Sequence, residues 1–320
     1  MSADKSTNIV MPCRFRSGDI GNGFKLDDLE NGLELKAHLL RTGASSPSLI
    51  LAHAARGGAK SVTNTVAQGL TALGLNVFHP RAAVPVIALS VAIARRGMKI
   101  GLYLDEDAEG FWTLLPLAAH GGPVENAIQE EVVTKPLRQT GVLGETEIIK
   151  PYLQTLEGLL DPNIGEGPRL STLECPFPEI EQYLREKADS GRCIVLRERN
   201  TSGPRARISP DGQGLEIEWP AGKHFATTEM VAAVGQYLHE QRSGRGTIIG
   251  PPGTVDLVKP FSDGIEIIEV HDGPLEMSYR AGFADLLMGW WEPGIIAHQG
   301  HGPFGDGLLT LAYLLESWSS

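Results

Sequence analysis

Between residues 48 and 104 the sequence repeats one pattern: a short apolar run, a turn, an amphipathic stretch, and another short apolar run. Ser48-Leu49-Ile50-Leu51-Ala52 reads as a buried strand, with turn residues before it and a Gly-rich loop after it. Val62, Val66, Leu70 and Leu73 then recur at intervals of three and four, one face of a helix that Gly74 stops. Residues 75–78 form the next strand, Pro80 and a helix over residues 86–94 follow, and residues 100–104 are a third strand. Strand, helix, strand, helix, strand at this spacing demands right-handed crossovers and a parallel or mixed sheet covered on both faces. The expected class is α/β, with mixed sheets sandwiched by helices.

The stretch from Asp161 to Pro178 is rich in Pro, Gly and Ser and reads as a linker between two domains. Beyond it the pattern predicts a helix over residues 179–187, a strand over 192–196, and a hairpin pairing 205–208 with 215–219. The turn Pro210-Asp211-Gly212 supplies the positive-φ residue that this reversal needs. A helix over 228–242, a strand over 247–249 and a strongly apolar helix over 308–318 complete the reading. Asp306 is the N-cap expected for the last helix.

Composition narrows the function classes. The 320 residues suffice for two domains, and a content of 42% hydrophobic and 21% charged residues is ordinary for a globular chain. A net charge of -11 argues against a nucleic-acid or acidic-membrane surface, which needs clustered Lys and Arg. Cys13, Cys175 and Cys193 are odd in number and far apart, which gives no disulfide framework and fits a reducing, cytoplasmic setting. The N-terminus lacks the pattern of a secretory signal, and residues 84–94 fall short of a bilayer span.

Six segments carry a further signal. They are Phe15-Arg16-Ser17-Gly18-Asp19-Ile20-Gly21-Asn22; Ile50-Leu51-Ala52-His53-Ala54-Ala55-Arg56; Gly69-Leu70 with Gly74 and Val77; Val84-Pro85-Val86-Ile87-Ala88-Leu89; Ala188-Asp189-Ser190-Gly191-Arg192-Cys193; and Asp306 through Glu316. In that order they resemble the FGTDGxRG, VVGRDTR, GLxxxGxxV, VPTPxL, ADLGIA and DGxxTxLxLLE segments of the α-D-phosphohexomutase (phosphoglucomutase/phosphomannomutase) family. The resemblance implies four domains around a cleft. Residues 1–145 then correspond to the first domain, 146–187 to a remnant of the second with a linker, and 188–320 to the third. The fourth, phosphate-holding domain is expected to be absent.

The family's reaction moves a phosphoryl group between a serine and the hydroxyls of a hexose phosphate, with Mg²⁺ held by carboxylates. Its serine belongs to a TASHNP-type loop after the third strand. Here that place reads Leu104-Asp105-Glu106-Asp107-Ala108-Glu109, and no serine is present. The metal loop, DGDADR in the family, resembles Val195-Leu196-Arg197-Glu198-Arg199-Asn200. A guanidinium cannot ligate Mg²⁺, so no metal cofactor is expected. Two readings of these loops stand: Asp105 or Asp107 bridges to Arg197 or Arg199 in place of phosphoserine and metal, or both loops are solvated charge runs. The GEESG-type sugar loop resembles Gly289-Trp290-Trp291-Glu292-Pro293-Gly294, and its tryptophans are either a stacking surface or core. Arg56, Arg197, Arg199 and Glu292 are the ligand-binding candidates.

Other signals are weaker. The GxGxxG match at residues 300–305 has too little chain after it for a dinucleotide fold. His298 and His301 with Asp306 are a marginal metal alternative on a Gly-rich loop. The acidic residues 125–131 read as a solvated helix face. The leading expectation is therefore a non-catalytic phosphohexomutase-like protein that works by binding: self-association into a homo-oligomer, a protein partner, or sensing of a phosphosugar. The alternative is a divergent phosphohexomutase-type isomerase of carbohydrate metabolism that would require Mg²⁺, or one that uses Asp107 as phosphoryl acceptor.

Overall fold

The computed structural model describes residues 13–15, 48–72, 74–124, 140–157, 170–189, 203–220, 222–241, 245–271, 274–281, 285–291, 293–299 and 303–318. The chain forms two compact units, Met1–Ile148 and Ile149–Ser320.

The first unit is built on β1 (Cys13–Phe15), β2 (Ser48–His53), α1 (Ala59–Ala72), β3 (Asn76–His79), α2 (Val86–Arg96), β4 (Ile100–Glu106), β5 (Trp112–Ala118) and β6 (Leu143–Glu145). The strands make one six-stranded sheet in the order β1-β5-β4-β2-β3-β6. β4, β2, β3 and β6 run parallel, while β5 and β1 are added antiparallel. The mixed sheet expected from the strand–helix alternation is present.

Register decides which helix each side chain meets. Leu51 pairs with Leu102 and His53 with Leu104, so alternate residues of β2 and β4 share a face. On that face Leu49, Leu51, Val77 and Leu102 pack with Val62, Val66 and Leu70 of α1. Burying these branched side chains, at about 1.5–3 kcal/mol each, is the main force holding α1 to the sheet. α2 covers the opposite face, where a Cβ on Gly101 would collide with Ile93.

The second unit comprises α3 (Ile149–Glu157), β7 (Thr172–Glu174), α4 (Pro178–Asp189), β8 (Arg205–Ile208), β9 (Leu215–Trp219), β10 (Lys223–His224), α5 (Thr227–Gln241), β11 (Thr247–Gly250), α6 (Thr254–Val258), β12 (Glu266–Glu269), α7 (Pro274–Ala281), β13 (Leu286–Trp291), β14 (Ile295–His298) and α8 (Gly307–Ser317). Two four-stranded sheets result, β10-β9-β8-β7 and β12-β11-β13-β14. The expected hairpin is β8–β9, and Gly212 at its turn has φ 80. The end of the stretch read as a linker is ordered: β7 joins β8 in parallel and Phe177 is fully buried. The strand expected over 192–196 lies outside the described residues.

α8 is apolar all round and buried along its length, as such a helix must be. Its N-cap is Asp306, as the sequence predicts. One carboxylate oxygen accepts from the N–H groups of Leu308 at 3.1 Å and Leu309 at 3.0 Å and from the Tyr152 hydroxyl at 3.0 Å. No described helix is long and apolar enough to cross a membrane.

Candidate functional site

The turn between β4 and β5 occupies the place where the resemblance puts the reactive serine. β4 and β5 pair without interruption up to Glu106 opposite Trp112, so only residues 107–111 remain to reverse the chain. Asp107 closes this turn. Its Oδ1 accepts from the N–H of Glu109 at 2.9 Å and of Phe111 at 3.0 Å, the local bonding that lets Asp end a strand. Its Oδ2 accepts from Arg14 Nε at 2.7 Å, and the same guanidinium reaches Glu109 at 2.8 Å. Arg14 also lies over the Phe111 ring, 4.2 Å from its centroid.

The electrostatics follow from this arrangement. Desolvation opposes charge on Asp107, but the Phe111 N–H, the Arg14 guanidinium and the Glu109 N–H outweigh it and hold the carboxyl below its ordinary range. Glu109 and Asp107 together raise the affinity of Arg14 for its proton. Asp107 is thus a settled carboxylate whose two oxygens already serve the turn and β1. Residues 105–111 contain no hydroxyl side chain.

Asp105 lies two residues earlier and carries a second pair. Arg56, from the loop after β2, donates from Nε to Asp105 Oδ1 at 3.0 Å, and the same oxygen accepts from the Glu106 N–H at 2.8 Å. Asp105, Asp107 and Arg56 therefore lie together at one end of the first sheet. The predicted partners Arg197 and Arg199 lie outside the described residues, as do Glu292 and His301. Arg14 was missed: a lone arginine 93 positions before Asp107 carries no signal in one sequence.

In the second unit the structure places two of the residues left open by the sequence. Trp290 and Trp291 are 5% and 3% exposed, so they are core and do not offer a stacking face. His298 lies not on a loop but at the end of β14, inside the core. Thr310 Oγ1 spends its proton on the Asp306 carbonyl at 2.8 Å, so His298 Nε2 must be the donor in its 2.7 Å bond to that hydroxyl. Among the described residues no group of three His, Cys, Asp or Glu is placed to hold a metal ion.

No protein-family model and no curated protein matches this chain. Solved structures do. A Thermus thermophilus protein assigned as a phosphomannomutase aligns at TM-score 0.71 and 18% identity, covering 88% of this chain and 73% of that one. A phosphoglucomutase/phosphomannomutase family protein from Burkholderia thailandensis aligns at 0.70 and 12% identity, covering 96% and 75%. The chain has the phosphohexomutase fold. The phosphoglucomutase pp63/parafusin of Paramecium agrees, at TM-score 0.65, 11% identity and coverage of 97% and 71%. Identities this low speak for the fold, and function has to be argued from the side chains a phosphohexomutase-type framework presents here.

Proposed function

We propose that this chain is a non-catalytic phosphohexomutase-fold protein that works by binding. The observation that carries the proposal is the turn after β4. Phosphoryl transfer of this type needs a nucleophile free to attack and a cation beside it. At the position where the resemblance puts the serine, Asp107 accepts from two backbone N–H groups and from Arg14. For Asp107 to attack phosphorus it would have to release these donors, and the arginine that faces it stabilises its charged ground state rather than a developing transition state. Asp105 is likewise engaged by Arg56.

The test is a coupled mutase assay on glucose 1-phosphate and mannose 1-phosphate, with the hexose 1,6-bisphosphate and Mg²⁺ supplied. The expected result is no turnover above a blank, and intact-mass spectra without a phosphorylated protein species. Turnover at an ordinary enzyme rate overturns the proposal in favour of a divergent isomerase. Binding is read separately. A ligand that binds only the folded state raises Tm with its concentration, and light scattering reports self-association, for which a two-fold dimer is the commonest symmetric form.

A further inference from the structure

Three adjacent parallel strands of the first sheet, β2, β3 and β6, end in His53, His79 and Glu145. Register puts all three side chains on the α1 face. Ile50 pairs with Phe78, which aligns Leu51 with His79, and His53 lies two residues beyond Leu51 on the same side. His79 pairs directly with Glu145. Asp105 is out of phase with this set, since Leu104 is the residue that pairs with His53. The cluster is therefore distinct from the Arg56–Asp105 pair.

α1 begins beside these strand ends. The chain turns from β2 into α1 through Gly57 and Gly58. Gly58 has φ 82, and a Cβ at Gly57 would meet nothing within 4 Å. The first turn of α1 holds no acidic residue, so its own sequence leaves the positive end of the helix dipole uncompensated. Lys60 stands in that turn.

His53 is the second and independent observation. It is 6% exposed, and its Nδ1 is bonded to the Ala54 carbonyl at 2.9 Å, which makes Nδ1 the protonated nitrogen. Its Nε2 has no hydrogen-bond partner among the described residues. His79 is bonded in the same way, from Nδ1 to the Pro80 carbonyl at 3.1 Å. Lys60 and His79 both act electrostatically on His53 and again on Glu145, which sets all four at the same end of the sheet. Glu145 shows what that end accepts: Arg81 Nε donates to it at 2.6 Å. That pair is 81% and 54% exposed, so solvent screens it and it exchanges readily.

We infer that His53, His79, Lys60 and Arg81, at the mouth of α1, form a binding site for a small oxyanion, inorganic phosphate or a phosphomonoester. Open α/β sheets bind ligands beyond the carboxyl ends of their strands, where helix N-termini converge. The anion displaces Glu145 from Arg81, takes charge-assisted bonds from Arg81 and Lys60, and meets the unspent Nε2 of His53 through a shared proton. The inference does not rest on the absence of mutase activity, and its readout involves no turnover.

The experiment follows the ring C–H resonances of His53 and His79 in the full chain, in phosphate-free buffer at constant ionic strength. Inorganic phosphate is expected to move both signals saturably, whereas chloride and glucose leave them in place. Lys60→Ala weakens the apparent affinity about tenfold, the loss of one charge-assisted contact, and Glu145→Gln tightens it. Both positions lie at the surface, so these variants keep the fold. If glucose 6-phosphate saturates the signals at about tenfold lower concentration than phosphate, the ligand is a phosphomonoester; otherwise it is free phosphate. Shifts that chloride reproduces, shifts that never saturate, or an affinity unchanged in Lys60→Ala overturn the inference.

Discussion

Arg14 Nε stands 2.7 Å from Asp107 Oδ2, a contact that closes 93 positions of sequence. It joins β1, the edge strand, to the turn that reverses β4 into β5. The pair is a surface contact that salt can weaken, but Asp107 has a second job in the backbone bonds of its own turn.

Those two jobs separate on substitution. Asp107→Asn keeps an oxygen for the Glu109 and Phe111 N–H groups and loses only the ion pair with Arg14. Asp107→Ala loses both. Urea unfolding of the first unit is expected to rank the proteins wild type, then Asn with a small loss, then Ala with a clearly larger one. Equal losses would mean that the ion pair, not the turn, is what Asp107 supplies.

In the second unit Asp306 carries more. Replacing a fully buried N-cap removes about 1 kcal/mol of capping, and orphaning the buried Tyr152 hydroxyl costs about 1–3 kcal/mol more. Asp306→Ala is thus expected to lose about 2–4 kcal/mol. Tyr152→Phe, which leaves Asp306 its two backbone donors, is expected to lose about 1 kcal/mol. Chemical denaturation of the two single variants and the double variant measures the coupling, and additive losses would refute it.

Gly250 ends β11 against the buried indole of Trp290. A Cβ there would come within 2.3 Å of Trp290 Nε1 and 2.4 Å of Thr254 Oγ1. Gly250→Ala should therefore destabilise by about 1–3 kcal/mol, as overpacking of a filled core does. Gly57→Ala, with open space around the new methyl, is the control and should change stability by less than about 1 kcal/mol. Similar values for the two would show that the indole moves aside.

Burial holds the His53 imidazole below its ordinary value of 6.5; the Ala54 carbonyl opposes this, and His79 and Lys60 add to it. Burial acts on His120 in the same direction. In each case the unfolded chain binds a proton that the folded chain refuses, so stability rises with pH across this window. Unfolding free energy should fall as pH drops below about 6.5, well before the carboxylates held low by Arg14 and Arg81 begin to protonate. His53→Gln and His120→Gln should each flatten part of that early slope. A wild-type profile level from pH 7 to 5.5 would contradict the burial argument.

Where periodicity and burial agree, the sequence was readable. α1, α2, α5 and the central strands of the first sheet stand within a few residues of the positions that apolar spacing predicts. β5 escaped because Pro116 interrupts its apolar run and because the five-residue turn before it, residues 107–111, is acidic rather than a typical hairpin turn. Short strands such as β6 and β7, three residues each, are stabilised by neighbours distant in sequence and leave little periodic trace. Asp105 and Asp107 were visible as an acidic loop, but their partners were not, since ion pairing across dozens of residues depends on topology. The histidines at the strand ends did leave a sign, a polar residue closing an otherwise apolar run.

The hydroxyl of Tyr152 and the carboxylate of Asp306 meet across 154 residues, and so join the helix that begins the second unit to the cap of the helix near its end. During synthesis this gives the two units different timetables. The first has every strand and helix described for it by residue 148, and can consolidate while the ribosome is still at work. The second must wait with this buried polar contact unmade until residue 306 has left the exit tunnel, so its first and last helices are joined only when its chain is nearly complete.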